Sequence, residues 1–329
     1  MDERALFAAV LAEEFGWEDC TLTKLSGAPG AESQTFRVER DGAAVAVLHA
    51  YRQAWIDWIG VRQEWPGRVE ACARLLAYLE GYGYSVPRVV GTRRGEGVAL
   101  REGWAVLLAD YVGGETGDYS AAGLRALGDA VGALHALPMG YVGESWWSLA
   151  TIVPRVAGRL AEVGAAVPLE WRAWYEECLR ELVAWVGRAG LPGAIIHADA
   201  WAGNAVIGRA GRATLIDWEL SGSGPAVLDF GSLILHGHYD LLGCLPDAGR
   251  IAALVGGYCA QRRPTDEELA VLTDAIRFGP VYRSALFFVA AAEGMWGERP
   301  WRQIGIERER YPAGPALAAA TLDFLTGMG

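Results

Sequence analysis

The 329-residue sequence is 52% hydrophobic and 21% charged, enough apolar material for a large core and a length that suggests two lobes. A net charge of −11 opposes binding to phosphate backbones, which draws on Lys and Arg, so nucleic acid is not an expected partner. The longest apolar run, Ala285 to Ala292, is far short of the roughly 20 residues that cross a bilayer, so no membrane span is expected. The opening MDERALFAAVLAEEF is acidic and helically spaced, unlike a secretory signal, and the chain reads as cytoplasmic.

In chain order, Asp2 to Phe15 reads as an amphipathic helix, followed by strands at Thr21–Leu25, Thr35–Glu39 and Ala43–Ala50. Asp41-Gly42 sits between the last two as a hairpin turn. Between the first two, Ser26 to Ser33 is a small-residue loop that could bring backbone amides to a phosphate, although an ordinary hairpin loop reads the same way. The spacing predicts a helix over Gly67–Gly81 and strand-like runs that end with Trp104–Val112. After Gly113-Gly114 the pattern turns helical, with helices expected at Ala121–Leu137, Trp146–Leu160, Leu169–Val186, Ile251–Gln261, Asp266–Phe278, Pro280–Glu293 and Ala313–Leu325. Two α+β lobes follow, a sheet-rich one over residues 1–112 and a larger helical one over 113–329.

One β-like island, Ala194 to Leu220, interrupts the helical part and carries the polar residues of interest. His197 and Asp199 follow an apolar run, Asn204 comes five residues after Asp199, and Asp217 follows a second short strand. Magnesium is held by carboxylate and carbonyl oxygens with phosphates and water, so Asn204 and Asp217 are apt ligands. Asp199 is then free to orient and deprotonate a hydroxyl, the division of labour that phosphoryl transfer requires.

The segments HADAWAGN, LIDWE and GPAVLDFG resemble consecutive motifs of the aminoglycoside phosphotransferase and choline kinase-like family. LSGAPGAESQTFRVERDG is similar to that family's nucleotide loop and first hairpin, VLHAY to its third strand, SVPR to its helix-to-strand connection, LLADYVGG to its interlobe hinge and LHAL to a helix end. Coverage is roughly residues 1 to 240. The resemblance implies a two-lobed protein-kinase-like fold that uses ATP and Mg to phosphorylate a hydroxyl on a small molecule. It implies Asp199 as catalytic base, Asn204 and Asp217 as metal ligands, His197 as a support for the catalytic loop and Asp229 as a brace beneath it. Ser33 and Gln34 would lie under the triphosphate, and Asp110 to Val112 would meet adenine through backbone groups. An aminoglycoside or similar antibiotic is the default acceptor; amino alcohols, fructosamines, macrolides and peptide Ser or Thr are alternatives.

The chain departs from the family at the third-strand lysine, where His49 stands, with Glu70 as the matching helix glutamate. Lys24 is the only lysine, and because Leu25 follows it there is no P-loop either. A neutral imidazole loses a charge-assisted contact of about 1.5–3 kcal/mol, which weakens a kinase without abolishing it. A catalytically weak, kinase-like binding module is the alternative that His49 favours. The five cysteines form no CxxC pair and read as reduced core residues. His236-Gly237-His238 with Asp240 reads as packing before it reads as a metal site. Glu293, Trp296, Glu298 and Trp301 combine carboxylates with aromatic faces and are candidates for a cationic acceptor.

Overall fold

The computed structural model describes residues 3–26, 33–52, 66–140 and 143–328. Its contacts divide the chain into two compact units, Met1–Gly113 and Gly114–Gly329.

The first unit opens with α1 (Glu3–Val10), which continues as a π-helical turn, Leu11–Phe15, closed by a left-handed Gly16. Five antiparallel strands follow: β1 (Thr21–Ser26), β2 (Ser33–Arg40), β3 (Ala43–Arg52), β4 (Ala99–Arg101) and β5 (Trp104–Asp110), in the spatial order β1-β2-β3-β5-β4. The β2–β3 turn places Asp41 at φ 51° and Gly42 at φ 77°, the double left-handed geometry of a tight hairpin. Alternation along β2 buries Gln34, Phe36 and Val38. On that face Phe7 of α1 packs against Phe36 and Trp104, each with ring centroids 5.3 Å apart. Helix α2 (Gly67–Gly81) packs against β5. The expected phosphate loop lies largely outside the described residues, at 27–32.

The second unit is helical around two small antiparallel pairs: β6 (Gly193–Ile196) with β9 (Gly222–Pro225), and β7 (Ala205–Ile207) with β8 (Ala213–Leu215). Its helices are α3 (Ala121–Ala136), α4 (Ile152–Glu162), α5 (Arg172–Val186), α6 (Ala226–His236), α7 (Ala248–Cys259), α8 (Asp266–Ala270), α9 (Leu272–Ala292), α10 (Arg299–Arg310) and α11 (Gly314–Gly327). Helices α3 and α7 touch through backbone: a Cβ on Gly128 would stand 2.1 Å from the Leu254 carbonyl oxygen, and one on Gly132 2.5 Å from that of Tyr258. Only glycine allows that approach, which brings Tyr258 to α3.

Three elements differ from the sequence expectation. The helix expected from Trp146 begins only at Ile152, because tertiary bonds hold the preceding turn: Trp146 N–H donates to the Leu220 carbonyl, and Tyr282 O–H donates to the Trp146 carbonyl. The break expected at Pro280 is absent, and α9 runs unbroken from Leu272 to Ala292. Gly279 precedes that proline and has no Cβ to clash with the pyrrolidine ring. The chain breaks instead at Val271, after α8, whose N-terminus is fixed by a Thr265–Glu268 capping box. Helix α10 was not expected, since its RPWRQIGIERER sequence offers few apolar positions.

Among the described residues, no helix is long and apolar enough to cross a membrane. None of the five cysteines is in a disulfide, but only Cys178 and Cys244 are buried, so the expected core role fits these two and Cys20, Cys72 and Cys259 are half-buried.

Candidate active site

Strand β6 is buried and delivers the chain into a loop whose first two amides are captured by one carboxylate. His197 N–H donates to Asp229 Oδ2 at 2.8 Å, and Ala198 N–H donates to Oδ1 at 2.9 Å. Ala198 has φ 63°, a left-handed conformation that costs a non-glycine residue about 1–2 kcal/mol and that the bonds to Asp229 offset. The His197 ring is buried, donates from Nε2 to the Ile216 carbonyl at 2.9 Å and rests on Trp218 at 4.7 Å between centroids. Burial pushes the His197 pKa down, against the field of Asp229 and Asp217, so the ring is a neutral spacer between the two halves of the site. Ser221 Oγ donates to the His197 carbonyl at 3.0 Å and closes the loop from β9.

Asp199 and Asn204 meet directly. Asn204 Nδ2 donates to Asp199 Oδ2 at 2.7 Å and to the Asp199 carbonyl at 3.0 Å. Two acceptors on one side fix the amide orientation and turn Asn204 Oδ1 away from Asp199. The Asn204 carbonyl accepts from Ile216 N–H at 2.9 Å, which sets Asp217 beside it in a left-handed conformation with φ 68°. Asp199 Oδ1 has no hydrogen-bond partner among the described residues. Burial, with help from Asp217, pushes the Asp199 pKa up to about 7, while Arg283 and the Asn204 bond pull the other way. A carboxyl near 7 is poised to exchange a proton with a bound hydroxyl.

The brace beneath the loop extends far from it. Buried His135 bonds through Nε2 to Asp229 Oδ2 at 3.1 Å and through Nδ1 to Tyr258 Oη at 2.9 Å. Arg262 donates to Tyr258 Oη at 2.9 Å and to buried Glu268 at 2.8 Å, and Glu268 is also the capping-box residue of α8. With Nε2–H aimed at the carboxylate, the donors run one way, from Arg262 to Tyr258 to His135 to Asp229. Burial alone would raise the Asp229 pKa, yet the bonds from His135 and the backbone hold it below the usual range.

A second polar cluster was not singled out in the sequence. Arg283 on α9 donates through Nε and Nη2 to the two oxygens of Glu307, both at 3.0 Å, and through Nη2 to the Tyr239 hydroxyl. Arg310 stacks 3.5 Å from the Tyr239 ring centroid and reaches Glu307 at 3.4 Å. Tyr239 contacts His236 at 4.2 Å between centroids, and His236 contacts Trp201 of the loop that carries Asp199 at 6.5 Å. His236 thus packs between the rings of Tyr239 and Trp201. Among the described residues, no three His, Cys, Asp or Glu side chains form a metal cluster. The available signal for Arg283 was a charge in the otherwise apolar stretch from Pro280 to Ala292, which demands a partner.

The other sequence candidates fall elsewhere. On the first unit, Ser33 and Gln34 open β2, but they face opposite sides of the sheet: Gln34 pairs with Ala50 on the buried face, and both its amide atoms are buried without a partner. His49 pairs with Thr35 and Leu107 on the other face and stacks parallel to Tyr51 at 6.3 Å. Glu70 pairs with Arg74 at 3.8 Å. Asp110 closes β5 and pairs with Arg88 at 3.0 Å, and Val112 lies just beyond the strand. A groove of about 650 Å³ on this unit, lined by Glu14, Glu70, Arg74, Arg94 and Leu100 among others, contains none of the oxygen donors above. On the second unit, Glu293 is tied to Arg159 at the end of α9, and Glu298 is exposed before α10. Trp296 is exposed, whereas Trp301 stacks on Trp171 at 6.1 Å and meets Phe288 at 6.2 Å.

The sequence profile described as the phosphotransferase enzyme family matches residues 25–271. No curated protein matches the chain. Among solved structures, an amicoumacin kinase in complex with AMP-PNP, Ca2+ and Ami is 16% identical, covers 96% of this chain and 94% of its own, and superposes with a TM-score of 0.66. A microcompartment-associated aminopropanol kinase is 19% identical, with 97% and 99% covered and a TM-score of 0.63. An aminoglycoside phosphotransferase from Alicyclobacillus acidocaldarius subsp. acidocaldarius DSM 446 is 13% identical, with 97% and 96% covered and a TM-score of 0.62. These likenesses give the kinase-like fold, a sheet-rich lobe followed by a helical one. With most of its length matched by the profile, the chain belongs to the phosphotransferase enzyme family, as an ATP-dependent kinase of hydroxyl groups.

Proposed function

We propose that the protein transfers the γ-phosphoryl group of Mg-ATP to an alcohol on a small molecule, with Asp199 as the base. The observation that carries this reading is the half-buried Asp199 carboxyl, gripped by Asn204 through Oδ2 and open at Oδ1. In the step, the acceptor oxygen forms a bond to the γ-phosphorus as the bond to the β,γ-bridging oxygen breaks. ADP leaves, and the hydroxyl proton passes to Asp199 Oδ1.

The donor set fits a magnesium ion. Asn204 Oδ1 and the Asp217 carboxylate are hard oxygens on segments joined by the Ile216-to-Asn204 backbone bond, and two protein ligands suit an ion whose shell is otherwise phosphate and water. A bound magnesium ion would neutralise charge on the transferring phosphates. The remaining residues position the base. Asp229 holds the His197 and Ala198 amides, the His197 ring ties the loop to Ile216, and His135 and Tyr258 steady Asp229.

On the first unit, His49 would face phosphates where relatives use lysine, with Ser33 near the loop and the backbone of Asp110 to Val112 receiving adenine. The resemblance makes an aminoglycoside-like acceptor the first to assay, and the names of the similar structures add amino alcohols. The test of the metal site is ATP consumption as magnesium is titrated. Asp217→Asn is expected to raise the magnesium concentration for half-maximal turnover at least tenfold. An unchanged magnesium requirement contradicts the assignment.

A further inference from the structure

The Arg283 cluster carries charge in an unusual balance. Two guanidinium groups, Arg283 and Arg310, share one carboxylate, Glu307, whose side chain is 3% exposed. The Arg283 side chain keeps 22% exposure and that of Arg310 24%, so the four-residue cluster carries a net positive charge within reach of solvent, with Asp199 as the further carboxyl in its field. Arg283 is also held in place. Its Nε and Nη2 are engaged by Glu307 and Tyr239, and Nη1 makes no hydrogen bond among the described residues. A guanidinium locked on two sides with its third edge open is pre-organised to take an oxyanion.

The cluster adjoins the proposed base. Tyr239 packs on His236, which packs on Trp201, two residues from Asp199, and Arg283 is the cation whose field opposes the upward push on the Asp199 carboxyl. The acidic and aromatic set expected to receive a cation is differently placed. Glu293 is neutralised by Arg159, and Trp301 is packed between Trp171 and Phe288.

We propose that Arg283 is the specificity-determining residue of the acceptor site, and that it selects a small hydroxylated molecule bearing an anionic group, carboxylate or phosphate, over a polycation. The inference rests on the phosphotransferase reading and names its acceptor class. Glu307 and Tyr239 act as positioning residues that aim Nη1, and Arg310 adds to the field.

The experiment compares matched acceptors with wild-type enzyme and Mg-ATP: hydroxy acids and aldonic acids against their amides, sugar phosphates against parent sugars, and the corresponding amino sugars. The expected result is a kcat/KM at least tenfold higher for the anionic member of a pair. A preference confined to acids or to phosphates identifies the source of the anion. Because removing Arg283 alone leaves buried Glu307 with only its longer contact to Arg310, the variant is Arg283→Gln combined with Glu307→Gln, with thermal melting as the folding control. Its acid-to-amide selectivity is expected to fall to within about threefold of unity through acceptor KM; a structural role alone lowers both members together and leaves the ratio. Neutral or amino acceptors used as well as acids, or selectivity unchanged in the double variant, overturn the inference while leaving the phosphotransferase reading intact. Absence of Mg-ATP turnover with every acceptor overturns that reading, and the thermal shift induced by hydroxy acids, with and without the double substitution, then decides whether Arg283 binds an anion.

Discussion

Asn204 Nδ2 and Asp199 Oδ2 stand 2.7 Å apart, and this one bond sets the duties of both residues. It commits the Asn204 amide nitrogen to Asp199 and, in the proposed reading, leaves its oxygen for a cation. It also occupies one oxygen of Asp199 and leaves the other for a hydroxyl proton.

Replacing Asn204 by Asp keeps the shape but turns a donor into a second carboxylate against Asp199. Like charge favours the protonated form, so the acidic limb of the pH–rate profile is expected to move to higher pH by about one unit or more. Turnover at pH 7 falls accordingly. A profile recorded at saturating magnesium, with an unmoved acidic limb, counts against the direct contact.

The raised Asp199 pKa has a stability consequence with a definite sign. An unfolded Asp ionises near 4 and the folded one at about 7, so between these values the folded state binds more protons and stability falls as pH rises. Asp199→Asn removes that cost. After allowance for solvent screening, the variant is expected to be more stable than wild type by about 1–2 kcal/mol at pH 8 in the absence of metal, with the difference vanishing near pH 4. Denaturant titrations at the two pH values check it.

Asp229 has the opposite sign. Its folded pKa is depressed, so its contribution is present above the unfolded value near 4 and is lost as pH falls through the folded one. In Asp229→Asn, an amide donor is forced against at least one of three donors: the His197 amide, the Ala198 amide or His135. A loss of about 2–4 kcal/mol is expected in urea at pH 7, with phosphoryl transfer lost in the same protein.

Gly128→Ala tests the helix contact that delivers Tyr258 to His135. The new Cβ would stand 2.1 Å from the Leu254 carbonyl oxygen, which is backbone and has no rotamer to yield. A destabilisation of about 3 kcal/mol or more is expected from overpacking. A melting temperature equal to that of wild type refutes the close packing of α3 and α7.

His49→Lys supplies the cation that the family resemblance leads one to expect on the third strand. If the imidazole under-serves the phosphates, turnover is expected to rise roughly tenfold, the value of a charge-assisted contact in the transition state. A fall in turnover refutes that role for position 49.

The β2–β3 hairpin and α2 were legible because their signals are local: alternation in β2, Asp41-Gly42 at the turn, and helical spacing from Gly67. The contact of Asp199 with Asn204 and the backbone bond from Ile216 to Asn204 were within reach of the sequence because this loop and the strand after it lie close along the chain; the roles of Asp199, Asn204 and Asp217 are the proposal. What was hidden depends on partners far along the chain. Trp146 is drawn out of a helix by Leu220 and Tyr282, and α9 passes through Pro280 with Gly279 before it. Strand β9 likewise depends on a distant partner: a Cβ at Gly222 would meet the Ser145 amide at 2.5 Å, so only a glycine fits. The Arg283–Glu307 pair joins residues 24 apart on separate helices, one of which gave no sequence signal.

The most direct test of the account is phosphoryl transfer by Asp199→Asn, measured beside its affinity for Mg-AMP-PNP. The expected result is transfer reduced by about a thousandfold or more, with nucleotide affinity within about threefold of wild type, because the base acts on the acceptor hydroxyl and not on the nucleotide. Transfer that survives the substitution at near wild-type rate contradicts the assignment of Asp199 as the base.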